Sequence, residues 1–443
     1  MAATNIDLGE TAAIPARDDA PPTRYAWYVA ALLSLAHLVS FIDRFVMGLV
    51  LQPMRETFGL TDAQLGLLHG VAFALLYAAA GIPLGRLADI RSRRIIIACG
   101  LCVWSLATAA CGLAGSFGEL FTFRLLVGVG EAALVPAAIS LLSAYFARAH
   151  IGRAISLFTM GASLGKTTAL IGGAALLAVL TPHGVTLLGS HVLPWQGVFL
   201  GAALLGLVLV PLIFTIVEPA RTVPPRETRL VDALRHMRSY LKAYGFHIAA
   251  ACSSVLLIQA FGAWSPAYFA RERGFSVVDA GYVVGAAALV AGPLGHICGG
   301  WSVDRLTRLG IAGPALTVMI AGMALSIPSA LLLTTLPDGF GPIAAFVILM
   351  FAISATAGPC LAGLQAMTPA EHRGAVISVY MCIMTLIAVG LGPLIVGFAS
   401  DHLASDGGSL GLALTAVAAT VACVGIVAAL FGRSAAAQIA KPT

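Results

Sequence analysis

The chain has 443 residues, of which 59% are apolar and only 10% are charged, whereas a soluble domain is usually about a quarter charged. Twelve membrane-crossing helices of ~21 residues would need ~250 positions to span a ~30 Å hydrocarbon core, close to the apolar total. A nucleic-acid-binding module, a secreted disulfide scaffold and a two-domain soluble enzyme are therefore excluded. The formal charge of +5 is small for this length, so the placement of the basic residues carries the information.

Residues 1–24 carry Asp7, Glu10, Asp18 and Asp19 and end in Pro21 and Pro22. With no basic region leading into a cleavable apolar segment, they read as a disordered cytoplasmic tail and not as a signal peptide. Apolar spans then follow near 26–51, 64–85, 95–115, 119–143, 154–180 and 197–217, and again near 246–270, 279–303, 312–336, 341–366, 374–400 and 410–432. Between the two sets, 218–245 holds Pro219, Pro224, Pro225 and a run of basic residues from Arg221 to Lys242. This predicts an all-α membrane protein with one six-helix bundle over 25–217, a cytoplasmic linker over 218–245, a second bundle over 246–432 and a tail over 433–443. Arg86, Arg91, Arg93, Arg94, Arg148, Arg153, Arg305, Arg308 and the linker arginines fall on the face of the termini, against Arg55, Arg271 and Arg273 on the other. The bias puts both termini in the cytoplasm of a bacterial inner membrane.

The two halves echo each other. Gly85-Arg86-Leu87-Ala88-Asp89 follows the second span and Gly300-Trp301-Ser302-Val303-Asp304-Arg305 the eighth. Gly152-Arg153-Ala154-Ile155-Ser156 opens the fifth and Gly374-Ala375-Val376-Ile377-Ser378 the eleventh. Two parallel repeats with a substrate site at the midplane between them are a recurring plan of secondary transporters. Residues 85–94 resemble the signature loop of the major facilitator superfamily, with Ser92 where that loop usually has its second glycine. Phe41-Ile42-Asp43-Arg44 and Arg124-Leu125-Leu126-Val127-Gly128-Val129-Gly130-Glu131-Ala132 resemble the Spinster family more narrowly. That resemblance implies a transporter of lysophospholipids or sphingosine-type lipids, coupled to protons.

An ionisable side chain at the bilayer centre costs at least ~2.5 kcal/mol, so each one invites a functional reading. The fully charged types within spans are Asp43, Arg44, Arg124, Glu131 and Lys166, all in the first half. Arg124, Gly128 and Glu131 share one helix face, with the two charges ~10 Å apart along the axis and out of reach of each other. Burial penalises the charged form of Glu131 about halfway through its span, which suits a proton-coupling group. Asp43 and Arg44 point to different sides of their helix, so Asp43 is expected to pair with Arg124 or, through neighbours, Arg44, and to share the proton-coupling role. Arg44 shares a face with His37 and Ser40. Lys166, after Gly161-x-x-x-Gly165, is expected to meet an anionic headgroup or to face a watery cavity, and Arg44, Arg124 and His37 are expected to bind substrate with it.

From the second half, Gln259, Trp264 and Tyr380, with Phe261, Met381 and Met384, are expected to line a cavity suited to an acyl chain. Asp89 is expected to close a cytoplasmic gate against Arg373 and Gly374, with Arg91, Arg93 and Arg94 beside it, and Asp304 with Arg305 to meet Gly152 and Arg153 by pseudo-symmetry. The eight cysteines read as packing, and His69, His183 and His191 as solvated or interfacial. No zinc, nucleotide-loop or nucleophile spacing occurs, so neither a metal nor a cofactor is expected. The reading is a monomeric carrier of an amphipathic lipid and protons, embedded in membrane lipid and making no use of nucleic acid. A drug exporter or organic-anion/proton symporter is the nearest alternative, and a membrane-embedded enzyme or non-transporting sensor a more distant one.

Overall fold

The computed structural model describes residues 23–181, 185–187, 190–219, 230–369, 371–403 and 409–439. The expected N-terminal tail lies outside them apart from Thr23 and Arg24, as do His183 and Lys441. Among the described residues twelve helices are long and apolar enough to cross a membrane. They are α1 (Arg24–Phe58), α2 (Asp62–Ile90), α3 (Arg93–Leu113), α4 (Phe117–Tyr145), α5 (His150–Leu180), α6 (Pro194–Ile213), α7 (Leu241–Glu272), α8 (Val277–Arg308), α9 (Pro314–Thr335), α10 (Phe340–Met367), α11 (Arg373–His402) and α12 (Leu410–Ala435). A bilayer core offers no partner to backbone N–H and C=O groups, so a spanning segment bonds within itself. Among the described residues the strands form one antiparallel pair, Val185–Leu187 with Ser190–Val192, between α5 and α6.

The ends of the spans follow local chemistry. Thr23, Ser92, Ser116 and Ser276 cap α1, α3, α4 and α8 by accepting from the backbone N–H three residues on, each cap worth ~1 kcal/mol. Gly59, at φ +63°, terminates α1, and a Thr61–Gln64 capping box starts α2 three residues later. Several helices run past their apolar stretch. Residues 85–89, expected in a loop, are the last turn and a half of α2, and Gly300–Arg305 lie within α8. Polar residues in a terminal turn stand in water and cost nothing there, so hydropathy understates helix length. The linker likewise contains an amphipathic helix, Leu230–Ser239, whose His236 ring lies 5.1 Å from that of His372 at the start of α11.

The halves meet through glycines at the end away from the basic residues. A Cβ on Gly70 of α2 would stand 2.2 Å from the Gly390 carbonyl of α11, one on Gly66 2.6 Å from the Pro393 carbonyl, and one on Gly397 2.1 Å from the Asp62 carbonyl. Gly281 of α8 packs against the Ala174 side chain of α5, and Gly48 of α1 approaches the Ala263 carbonyl of α7. Both α2 and α11 carry a π-helical segment at this contact, Leu67–Val71 and Thr385–Gly390. Widened turns of this kind are frequent at functional sites. A third irregularity interrupts α4 at Ala132–Ala133, directly after Glu131. At the basic end Asp89 and Asp304 are exposed. The bundle is shut at the opposite end.

Candidate functional site

The charged residues of the first half converge where α1 crosses the interruption of α4. Arg44 Nη2 lies 2.6 Å from Glu131 Oε2, and Ser40 Oγ, one turn earlier on α1, donates to the same oxygen at 2.7 Å. Glu131 is buried, while the Arg44 side chain keeps 14% of its surface exposed. The guanidinium stands 4.3 Å from the Phe73 ring centroid, 4.9 Å from Phe41 and 5.4 Å from Tyr77, an aromatic cage that a cation favours. The pairing of Glu131 with Arg44 differs from the expected Asp43 pairing, and the crossing of α1 and α4, not sequence spacing, decides it.

On the adjoining side, Arg124 is fully buried and donates from Nη1 to the Asp43 backbone carbonyl at 3.4 Å. No ion pair joins the Arg124 and Asp43 side chains within 4.0 Å. Both Asp43 carboxylate oxygens, and Arg124 Nε and Nη2, are buried without a hydrogen-bond partner. Thr108 of α3 faces the Asp43 carboxyl without reaching hydrogen-bond geometry. Two acids and two bases thus sit together with a formal sum of zero, and both pairs retain unused hydrogen-bonding capacity, since Arg44 Nε and Glu131 Oε1 are also buried without a partner. Buried polar atoms in that condition are rare and call for an explanation.

Three histidine and lysine positions complete the neighbourhood. His37 stacks on Phe158 of α5 at 4.2 Å and bonds through Nδ1 to its carbonyl at 3.0 Å, so it ties α1 to α5. Lys166 holds its ammonium 4.9 Å from the Phe45 ring and faces Gly262 of α7 across the divide between halves. His69, expected at an interface, is 4% exposed on the π segment of α2, with Nδ1 unpartnered. The widened turn carries the ring inward, which periodicity does not reveal.

From the second half, Trp264 is fully buried and its indole N–H donates to the Pro393 carbonyl at 2.8 Å. Phe261, Tyr380 and Met384 are buried too, Gln259 is half-buried against Gly392, and Met381 is 47% exposed. Trp264 therefore braces α7 against α11 within the second half and does not stand on an open wall.

A second cluster, not anticipated from the sequence, joins the halves at the shut end. Asp62 at the first turn of α2 accepts two hydrogen bonds from Arg271 Nη1 of α7, at 2.8 Å each, and one from Ser400 of α11 at 2.7 Å. Arg55 Nε stands 3.6 Å away. The Asp401 carboxylate in turn accepts from the backbone N–H groups of Asp62 and Ala63 at 3.0 and 2.8 Å, and Arg271 Nε donates to Gln52. Arg55 and Arg271 stood out only as rare cations on the sparsely charged face.

The basic-end residues divide differently from expectation. Arg93 Nε bonds Glu218 Oε1 at 2.7 Å, Ser92 Oγ donates to Oε2 at 2.8 Å, and the Arg93 and Arg94 backbone N–H groups donate to the same carboxylate. Burial alone would raise the Glu218 pKa, but these donors outweigh it and hold it down at about 2. Arg94 Nη1 bonds the Ile216 carbonyl at 3.0 Å. Arg93 and Arg94 therefore lock α3 to the end of α6 within one half. Asp89, Arg91, Asp304 and Arg305 are exposed, and Arg373 Nε bonds the Thr368 carbonyl at 3.0 Å. Among the described residues no three metal-ligating side chains come together.

A bundle of twelve spanning helices, latched across two halves at one end and holding a compensated charge cluster between its ends, is built as a secondary transporter. The sequence profile of the Major Facilitator Superfamily matches residues 33–393, and the chain belongs to that superfamily. Its structure is similar to that of a bacterial homologue of the human lysosomal transporter Spinster, in an inward-facing and unoccupied conformation. The TM-score is 0.80 at 26% identity, covering 95% of this chain and 98% of that one. An MFS-type efflux pump of Mycolicibacterium smegmatis is 25% identical over 411 residues, 91% of this chain and 92% of the pump. The protein spinster of Drosophila melanogaster is 29% identical over 198 residues, 45% of this chain and 31% of that protein.

Proposed function

We propose that this transporter carries an amphipathic, single-chain lipid across a bacterial inner membrane, with the basic end cytoplasmic, and that protons bound at Glu131 and Asp43 drive the cycle. The observation that carries the reading is the Arg44–Glu131 contact inside an aromatic cage, with the unpartnered Asp43 carboxyl beside it. A proton on Glu131 removes the negative partner of Arg44, and the freed guanidinium is then available to a phosphate, whose oxygens it binds in bidentate fashion. Loss of the proton restores the internal pair and expels the headgroup. Lys166 supplies a second cation facing the divide between halves. The likeness to Spinster proteins supports a lipid over a small polar solute.

In the return half of the cycle the basic end closes, Asp89 meeting the first turn of α11 near Arg373 and Asp304 meeting α5 near Arg153. Each such charge–helix contact is worth ~0.3–1 kcal/mol. Equilibrium binding to the purified protein of a lysophospholipid, a sphingoid base, a cationic drug and a sugar acid, each at two pH values, tests the reading. Lysophospholipid binding that strengthens at the lower pH and is lost in Arg44→Ala is expected. Tighter binding of the sugar acid or the drug than of either lipid overturns it.

A further inference from the structure

An apolar groove of about 590 Å³ opens on the outer flank of the first half, between α2, α3 and α4. Leu84 and Leu87 form one wall, Ile95, Cys99 and Val103 the other, and Gly100 and Gly130 with Ala133 the floor. The floor is deep for a local reason. A Cβ on Gly100 would stand 2.7 Å from the Gly130 carbonyl, so the helices touch backbone to backbone there and no side chain fills the space above. The interruption of α4 after Glu131 brings Ala133 into the same floor. The groove and the Arg44–Glu131 pair therefore lie on opposite faces of α4.

We propose that this groove is a binding site for one anionic glycerophospholipid of the basic-face leaflet, distinct from the transported substrate. Three observations select that occupant. Along α3 the groove runs from Ser92 to Val103, ~16 Å at 1.5 Å per residue, which is half of a ~30 Å hydrocarbon core and so the depth of one leaflet. Its body is apolar, and its polar end carries Arg91 and Ser92 at headgroup level. The charge there favours a phosphate: Arg86, Arg91, Arg93 and Arg94 stand against Asp89 and Glu218, and Glu218 is already engaged by Arg93 and two backbone N–H groups. Basic clusters of this kind at a membrane face attract anionic lipid.

The site is tested on the purified, detergent-solubilised full chain by native mass spectrometry with phosphatidylglycerol and phosphatidylethanolamine as probes. The wild-type protein is expected to retain one phosphatidylglycerol in preference to phosphatidylethanolamine. Cys99→Trp, which fills the groove, should retain it ~tenfold less, and Arg91→Gln should lose the preference between headgroups, as expected for a charge-assisted contact. Leu205→Trp, on an exposed position of α6 outside the groove, should behave as wild type. A measurement on the unaltered chain guards against misfolding of the variants. Cys99 is exposed, and phosphatidylglycerol should slow its alkylation by maleimide ~tenfold, read peptide by peptide, without slowing that of Cys423. Equal retention of both lipids by the wild type, unchanged retention in Cys99→Trp, or displacement of the bound lipid by a lysophospholipid at the concentration that fills the transport site overturns the proposal.

Discussion

The Asp62 cluster makes a quantitative demand on the conformational equilibrium. Its bonds join α2 to α7 and α11, so they exist only while that end is shut, and removing them destabilises one state of the cycle and not the other. Asp62 and Arg271 keep 3% and 12% of their side-chain surfaces exposed, which puts their contact well above a solvated surface pair. A hydrogen bond to a charged group contributes ~1.5–3 kcal/mol net. Asp62→Asn removes the charge but keeps one acceptor, so we assign the loss of one such bond, a shift of ~10- to 100-fold toward the state open at that end. Spin labels at exposed Glu56 and Phe340, one in each half, read this by pulsed electron resonance, and a longer-distance population should appear in Asp62→Asn. Arg271→Gln should produce the same shift, and the double variant should add little to either, because all three break one contact. An unchanged distance distribution in both single variants, or strictly additive effects, would refute the latch.

Three further outcomes follow from the same geometry. Gly70→Ala places a methyl 2.2 Å from the Gly390 carbonyl, which is backbone and cannot swing aside, so the shut end should loosen and the same spin-label pair should lengthen. Glu131→Gln removes the internal partner of Arg44, and headgroup binding measured by calorimetry should become independent of pH while substrate exchange without a proton gradient survives. Glu218 has a folded-state pKa below its ordinary value, so it stabilises the fold above pH ~4.5 and loses that contribution as pH falls toward about 2. The melting temperature of the wild type should fall across that window, and the fall should be shallower in Glu218→Gln.

How much of this was legible beforehand depends on which force sets each feature. The number of spans, the two-half division and the basic end follow from hydropathy and charge, which act locally and dominate in a bilayer. Helix ends were misplaced at residues 85–90 because water solvates polar terminal turns without ending the helix. Glu131 and Arg44 were each visible as costly buried charges, but their pairing depends on where α1 crosses α4, and no spacing within one helix encodes that. Asp62 was hidden for the opposite reason, since an acid after Thr61 and before Gln64 reads as an ordinary helix start, and only the partner helices convert it to a latch. His69 sits on a π turn at the contact between halves, and Trp264 points where α7 packs on α11 within the second half; no spacing along one helix encodes either.

The proposed sharing of the Arg44–Glu131 site by an amphipathic lipid and a proton requires that their fluxes be coupled. Its most direct measurement is uptake of a labelled lysophospholipid into proteoliposomes under an imposed pH gradient, with wild type and Glu131→Gln compared side by side. Wild type should show gradient-driven accumulation that collapses on adding a protonophore, and Glu131→Gln only slow equilibration that ignores the gradient. Full gradient-driven accumulation by Glu131→Gln, or faster wild-type uptake of a small hydrophilic solute than of the lysophospholipid, would contradict it.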